Sequence, residues 1–451
     1  MYIEYVTHAS LLIKSAANSI LLDPFYFIDP EFSGVIFNFP YREISKSTFG
    51  TLNYLYSSHI HPDHSHPETL NFLKDKTKTV LLPANNPDLE KRFIDLGFQS
   101  IILLENQQPF KLNENFEVTG YWDDNIDSAL IIKIDNKVIF HQNDCKLTPN
   151  TLEKIAADYS IDYAFMLYTD AQDLYPLLLP RSDVELNHLV AEREKVFLNN
   201  QINCIDILNP SVVIPYSYTI TYFQPDQIHL NGYSRLTPKT FSKLLAAYRP
   251  QNKCLIMQPG DVLDTQFNSI NYYRRENLWG ETVTEFIQNI NYFYKNNKTL
   301  LPKFNWGDPE KLDKKFQAYI KQRLHTPFLP ILEKRILGIY VKSENKLFSY
   351  LIDINNRRLL VWKPNENHPQ KLGAIDILMP ASILEQLLIK KYDPLSIIYS
   401  YKIKFKININ SNLSPQAEVM LYVFVIISFF FPELIESNAY KARYSILGQW
   451  K

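Results

Sequence analysis

The amino-acid sequence predicts an α/β fold of stacked layers, with helices covering sheet faces, followed by a smaller α+β domain. Three observations lead there. Short β-prone runs and helical runs interleave over the first half of the chain. One early strand runs straight into a cluster of histidines. Beyond residue 300 a charged helix leads to an aromatic strand meander.

Taken in order, Tyr2–Val6, Ser10–Lys14 and Ser19–Leu22 are β-prone runs broken by small polar residues. Asn53–Ser57 is a further strand. Pro67–Lys74 has helical spacing, with Leu70, Phe72 and Leu73 as its apolar residues. Thr79–Leu82 reads as a strand, Asp88–Leu96 as a helix and Ser100–Leu104 as a strand. Phe116–Gly120, Ala129–Ile134 and Lys137–His141 are three more strands. Residues 182–202 form a long amphipathic helix. Val212–Tyr216 is a strand after Asn209-Pro210, and Cys254–Gln258 is one ending at Pro259-Gly260-Asp261. Lys303–Arg323 is charged and helical, a plausible junction. Strands at Gly338–Val341, Leu347–Ile354 and Arg358–Trp362 follow. A helix at Ala381–Lys391, a strand at Ile397–Ile407 and an apolar helix over 415–431 complete the chain. This divides it into a catalytic domain at 1–300 and an α+β accessory domain at 301–451, a usual domain size. The accessory domain carries no catalytic constellation and suits substrate binding or dimerisation; ordinary core packing also accounts for its aromatic strands.

Composition excludes several classes. The 451 residues carry 47 Lys+Arg against 48 Asp+Glu, so there is no basic excess to bind nucleic acid. With 46% hydrophobic and 21% charged residues the chain is globular rather than disordered. Neither a dinucleotide fingerprint nor a phosphate loop is present. Cys145, Cys204 and Cys254 are too widely spaced for a disulfide framework or a CxxC pair, and a reducing cytoplasm is the expected compartment. The N-terminus has no signal-peptide pattern. The apolar run Val419–Phe431 is too short for a bilayer, which takes about 20 residues.

The histidines carry the chemistry. Of ten in the chain, four lie between 59 and 66. His59 and His61 alternate along a strand end, so both imidazoles point the same way. Asp63 and His64 follow at the turn into a helix. Crowding these groups is costly without a cation and makes a ligand set with one. Solvated histidines on a polar turn are the plain alternative, and the HxHxDH spacing is too specific for it.

His59-Ile60-His61-Pro62-Asp63-His64 resembles the signature of the metallo-β-lactamase fold superfamily. That resemblance implies an αββα sandwich with metals at one end. Thr7-His8-Ala9-Ser10-Leu11-Leu12-Ile13 and Leu21-Leu22-Asp23-Pro24-Phe25 resemble the opening of its lactonase-like branch. Phe27, Phe32, Phe37, Val213-Ile214-Pro215-Tyr216 and Gln258-Pro259-Gly260-Asp261 are similar to the CMP-N-acetylneuraminate hydroxylase-like branch.

The resemblance implies two divalent metals per chain. His59 and His61 match the first-metal imidazoles, Asp63 and His64 the second-metal pair, and Asp144 the bridging aspartate. Where relatives carry a histidine upstream of that aspartate, this chain has Tyr121-Trp122-Asp123-Asp124. Asp123 is expected to supply a carboxylate there, as diiron members do; a plain turn is the alternative. The superfamily closes its shell with a histidine after a strand, whereas this strand ends Ile214-Pro215-Tyr216-Ser217. His229 and His188 are the remaining candidates, and the second metal is otherwise weakly held or absent. His8 and Asp23 are expected behind the ligands, taking up their outer N–H groups. His66 reads as structural or substrate-facing.

Two chemistries compete. A hydrolase with zinc or manganese would lower the pKa of bound water to about 7, with Asp63 orienting that water or acting as base. An iron oxygenase or oxidase suits the mixed imidazole and carboxylate shell, and the sialate-hydroxylase resemblance favours it slightly. Those hydroxylases also use a Rieske centre, which needs CxH and CxxH pairs that this sequence lacks. Oxidation would therefore draw on an external electron donor or on the small-molecule substrate. A binding module with a degenerate metal site is the third reading.

Overall fold

The computed structural model describes residues 1–25, 36–42, 44, 49–123, 127–169, 175–179, 181–217, 220–233, 236–298, 304–326, 335–363, 366, 373–389, 398, 402–407 and 415–431. Two sheets lie face to face, each backed by helices. The first contains β1 (Tyr2–Thr7), β2 (Ser10–Lys14), β3 (Ser19–Leu22), β5 (Leu52–Tyr56), β6 (Thr77–Pro83), β7 (Ile101–Leu104), β16 (Val262–Asp264) and β17 (Ser269–Asn271), in the order β17-β16-β1-β2-β3-β5-β6-β7. The second contains β8 (Phe110–Asn113), β9 (Phe116–Tyr121), β10 (Ala129–Ile134), β11 (Lys137–His141), β12 (Tyr163–Leu167), β13 (Val212–Tyr216) and β15 (Lys253–Cys254), in the order β15-β13-β12-β11-β10-β9-β8. A small ladder joins β4 (Ile36–Asn38) to β14 (Ile220–Tyr222).

Side-chain alternation sets the layers. Ile13, Ile20 and Leu22 of the first sheet meet Ile132, Ile139, Phe165 and Ile214 of the second in one buried core. The outer face of the first sheet, including Leu12, Leu55 and Val80, is covered by α1 (Pro67–Leu73) and α2 (Pro87–Leu96) through Leu70, Leu73, Leu89 and Phe93. The outer face of the second is covered by α3 (Pro149–Asp158), α4 (Asp183–Leu208) and α5 (Pro238–Tyr248). A further helix, α6 (Val283–Asn296), packs Phe286 and Ile290 at the rim of the inter-sheet core.

Strand direction places the site. β3, β5, β6 and β7 run parallel, and so do β11, β12, β13 and β15. The C-terminal ends of neighbouring parallel strands share one edge of a sheet, where open α/β sheets bind ligands. Asp23, the histidine cluster, Asp144 and Tyr216 all stand at such ends.

A third sheet, in the order β20-β19-β18-β21-β22, contains β18 (Ile336–Lys342), β19 (Leu347–Asp353), β20 (Arg358–Trp362), β21 (Ile375–Pro380) and β22 (Lys404–Ile407). It packs with α7 (Pro309–Arg323), α8 (Ala381–Ile389) and α9 (Pro415–Phe430). Its core is continuous with Leu177–Leu179, Leu186, Tyr222, Leu230 and Tyr233 of the preceding region. Lys402 also binds Asp226, and Arg181 binds Glu418. The expected boundary at 300 falls outside the described residues, as do Phe27, Phe32, Asp124 and most of 397–401. Among the described residues no helix is long and apolar enough to cross a membrane, and α9 is a buried core helix.

Some elements differ from expectation. The strand expected over Cys254–Gln258 pairs only at Lys253 and Cys254. Beyond it Gln258 N–H turns to Asp261 Oδ2 at 2.8 Å, and Gly260 at φ 101° closes the turn. The helix expected over 182–202 runs on to Leu208, where Asn209 ends it in the left-handed region at φ 43°. α3 and the wholly buried β12 were not anticipated; β12 is a short apolar run, which has no period that separates strand from helix.

Arg323, 3% exposed, donates to Phe429 O at 3.3 Å and Ser428 O at 2.5 Å and so closes the C-terminus of α9. Arg323→Ala is expected to cost about 1–3 kcal/mol by removing the buried, charge-assisted hydrogen bonds to the Ser428 and Phe429 carbonyls. Denaturant unfolding checks this.

Candidate metal centre

The site begins at Asp23, just past β3. It has φ 41° and no exposure. Its carboxylate accepts Ser58 N–H at 2.7 Å, Ser58 Oγ–H at 2.9 Å and His64 Nδ1–H at 3.0 Å. Ser58 Oγ, whose proton goes to Asp23, lies 2.9 Å from His59 Nδ1 and therefore accepts from it. Both imidazoles are thus fixed with Nδ1 protonated, an assignment made from the hydrogen-bond network. Their Nε2 atoms are buried and have no hydrogen-bond partner among the described residues. A held Nδ1–H and an open Nε2 are what a metal-binding histidine presents.

Around those two nitrogens the carboxylates converge. Asp127 Oδ1 is 3.6 Å from His59 Nε2. Asp144 Oδ2 is 3.5 Å and Asp63 Oδ2 is 3.6 Å from His64 Nε2. The His61 ring stands edge-on to His59, 4.6 Å between centroids. Three overlapping groups each bring their ligand atoms within 4.8 Å of one another: His59-His61-Asp127, His59-His64-Asp144 and His8-Asp63-His64. Nitrogen and oxygen atoms that share a tetrahedral cation at ~2.1 Å stand roughly 3.4 Å apart. The spacings fit ligands around a shared ion better than direct hydrogen bonds. His61, Asp127 and Asp144 are partly exposed while Asp23, His59 and His64 are buried, so one side of the cluster faces solvent.

Charge tells the same story. Burial alone would strip His64 of its proton, but Asp144, Asp63 and Asp23 outweigh it and hold the imidazolium well above its usual range. Burial, reinforced by His64 and His61, keeps His59 neutral well below its usual range. Burial opposes the charge on Asp63, yet His64 and the hydrogen-bonded His8 hold it well below the usual carboxylate range. Asp144, Asp63 and Asp23 thus favour positive charge at the His64 imidazole.

The sequence placed His59, His61, Asp63, His64 and Asp144 at this spot, and the structure brings all five together. It does not bring Asp123. That carboxylate is exposed and accepts Thr148 N–H at 2.6 Å and Thr151 Oγ1–H at 2.7 Å at the N-terminus of α3. Asp127, two residues before β10, is the carboxylate that reaches His59. It carries no sequence signal beyond standing before an apolar strand. His188 on α4 and His229 on the short 3-10 turn Ile228–Gly232 are both exposed and join none of the donor groups. The end of β13 is taken instead by buried Tyr216, whose hydroxyl accepts Asn143 N–H at 2.7 Å. His66 caps α1, accepting Thr69 N–H at 3.3 Å. His8 contacts Asp63 Oδ2 at 3.1 Å through Nε2, while its Nδ1 has no hydrogen-bond partner among the described residues. This reverses the pattern of His59 and His64, so His8 steadies Asp63.

No family model matches the chain. A "Putative Rieske 2Fe-2S iron-sulfur protein" of Mycobacterium tuberculosis is 26% identical over 290 residues, which is 61% of this chain and 55% of that protein. The chain spans about half the length of the curated relatives it matches. Among solved structures it is similar to Igni18, a metallo hydrolase of Ignicoccus hospitalis, at 15% identity and a TM-score of 0.42, over 60% of this chain and 99% of that one. It is also similar to CmlA, a diiron β-hydroxylase of Streptomyces venezuelae, at 15% identity and a TM-score of 0.39, over 56% of this chain and 52% of that one.

Asp127→Ala is expected to lower the metal bound per chain, measured by elemental analysis. Asp123→Ala should leave it unchanged and cost at most about 1 kcal/mol of stability. Equal metal loss in both variants would restore Asp123 as a ligand.

Proposed function

We propose that the chain is a metal-dependent enzyme of the metallo-β-lactamase type, holding two divalent cations and acting on a small organic substrate. The observation that carries this is the pair of buried, open Nε2 atoms of His59 and His64 facing three carboxylates. His59, His61 and Asp127 would hold the first ion, His64 and Asp63 the second, with Asp144 between them. When bound, such ions supply Lewis acidity for hydrolysis or, as iron, redox equivalents for oxidation.

Iron-dependent oxidation, by a non-haem diiron oxygenase or oxidase, is the reading we favour. The donor set of three imidazoles and three carboxylates contains no thiolate and suits Fe(II). The iron–sulfur name of the curated relatives supports an iron redox setting. Electrons would come from an external donor or from the substrate. Hydrolysis of a lactone, phosphodiester or amide at zinc or manganese is the second reading, because the same imidazole-rich shell accepts zinc.

The chain's own residues have defined tasks in either case. Asp23 and Ser58 orient the two buried imidazoles. His8 holds Asp63 as an anion, which suits Asp63 to binding a cation or fixing a substrate proton more than to taking one up. The partly exposed side at His61, Asp127 and Asp144 is where substrate would approach.

Elemental analysis of protein purified from iron- and zinc-replete cells tests the reading. Two irons per chain, with substrate-dependent oxygen consumption, are expected. Two zincs would move the hydrolase forward. Less than a tenth of a metal per chain would overturn both and leave a binding module. Asp144→Ala is expected to lose most of both metals, and full retention would sink its bridging place.

A further inference from the structure

The ends of β11 and β13 meet the turn before β10 in a polar group that none of these tasks uses. Asn143, fully buried at a left-handed φ of 45°, has its backbone and side-chain polar groups engaged on three sides. Its N–H donates to the Tyr216 hydroxyl at 2.7 Å, its Nδ2 donates to Ser128 O at 2.6 Å, and its Oδ1 accepts Cys145 N–H at 3.1 Å. Asn143 immediately precedes Asp144, and Ser128 immediately follows Asp127. Ser128 Oγ in turn donates to Ser58 O at 2.9 Å and takes the Tyr56 hydroxyl proton at 2.6 Å. Ser58 is the residue that holds Asp23 and His59.

We propose that Tyr216 and Asn143 are positioning residues that set the spacing between the Asp127 and Asp144 carboxylates. This rests on the metal reading above. Asp127 and Asp144 arrive on separate loops, and each approaches a different imidazole at nearly the same distance, 3.6 Å and 3.5 Å. Two independent loops do not keep such a register by themselves. The Asn143 amide ties one loop to the other, and the Tyr216 hydroxyl pins Asn143 to the end of β13. Simple filling of space would be met by apolar side chains, without burying this many polar groups. A non-glycine residue in the left-handed region also carries strain that its bonds must offset. Partners of metal ligands commonly change metal affinity 10- to 100-fold when removed.

The test uses the full chain and Co(II) as the probe, with affinity from chelator competition and geometry from the visible spectrum. Tyr216→Phe removes only the hydroxyl. Asn143→Gly keeps the left-handed backbone and removes the amide. Both are expected to weaken Co(II) binding about ten-fold or more and to alter its spectrum. Wild-type affinity and spectrum in the variants, with only a lower melting temperature of the metal-free protein, would overturn the proposal and leave the metal reading standing. A wild-type chain that binds no Co(II) and holds no metal as isolated would overturn the metal reading itself. Should Asn143→Gly not fold, Tyr216→Phe decides alone.

Discussion

The buried carboxylate of Asp23 is the contact on which the site depends. Removing a carboxylate from water is costly unless several donors replace the lost hydration. Here a backbone N–H, a hydroxyl and an imidazole N–H do so. Each of those donors belongs to the segment after β5. One anion therefore joins the end of β3 to the histidine-bearing turn and fixes the tautomer of His64 directly and that of His59 through Ser58. Its field also reaches the Tyr56 and Tyr216 hydroxyls, which burial first and Asp23 second hold well above their usual range. The Tyr56 hydroxyl, kept protonated, can donate to Ser128 Oγ, while the Tyr216 hydroxyl oxygen serves as the acceptor of Asn143 N–H.

The layered fold makes such a contact possible. Parallel strands deliver their C-terminal ends to one edge of each sheet, and the helices that return the chain stay on the outer faces. Loops from both sheets can then meet without crossing the apolar core between them. The third sheet adds a further restraint. Its core includes Leu177–Leu179 from the segment after β12 and Tyr222, Leu230 and Tyr233 from the segment after β13. Packing remote from the histidine and aspartate cluster thus bears on the two segments that leave its edge. Ligands held by a rigid frame keep their geometry far better than ligands on independent loops.

Much of this was legible in the sequence. Four histidines within eight positions cannot be an ordinary turn, and their spacing on a strand end puts two imidazoles on one side. Most strands and helices of the first half stand where their apolar periods put them. The departures share a cause. Asp123 and Asp127 lie on the same short connection, and only the position of α3 decides which of them is consumed as a helix-capping acceptor. His188 and His229 qualify by residue type alone, and both stand on the exposed sides of their elements. Asn143 and Ser128 look like ordinary turn residues until the loops that carry them are brought together.

The sequence by itself determined the clustering of imidazoles and a carboxylate at 59 to 64, because a local pattern on one strand end and one turn has its geometry set by backbone periodicity, while Asp144 was reached only through the family resemblance. Only the tertiary structure decided that Asp127 joins them, that Tyr216 occupies the end of β13, and that His8 serves Asp63. Each of those is a contact between segments distant in the chain, and it is set by how two sheets and their loops pack rather than by any local period.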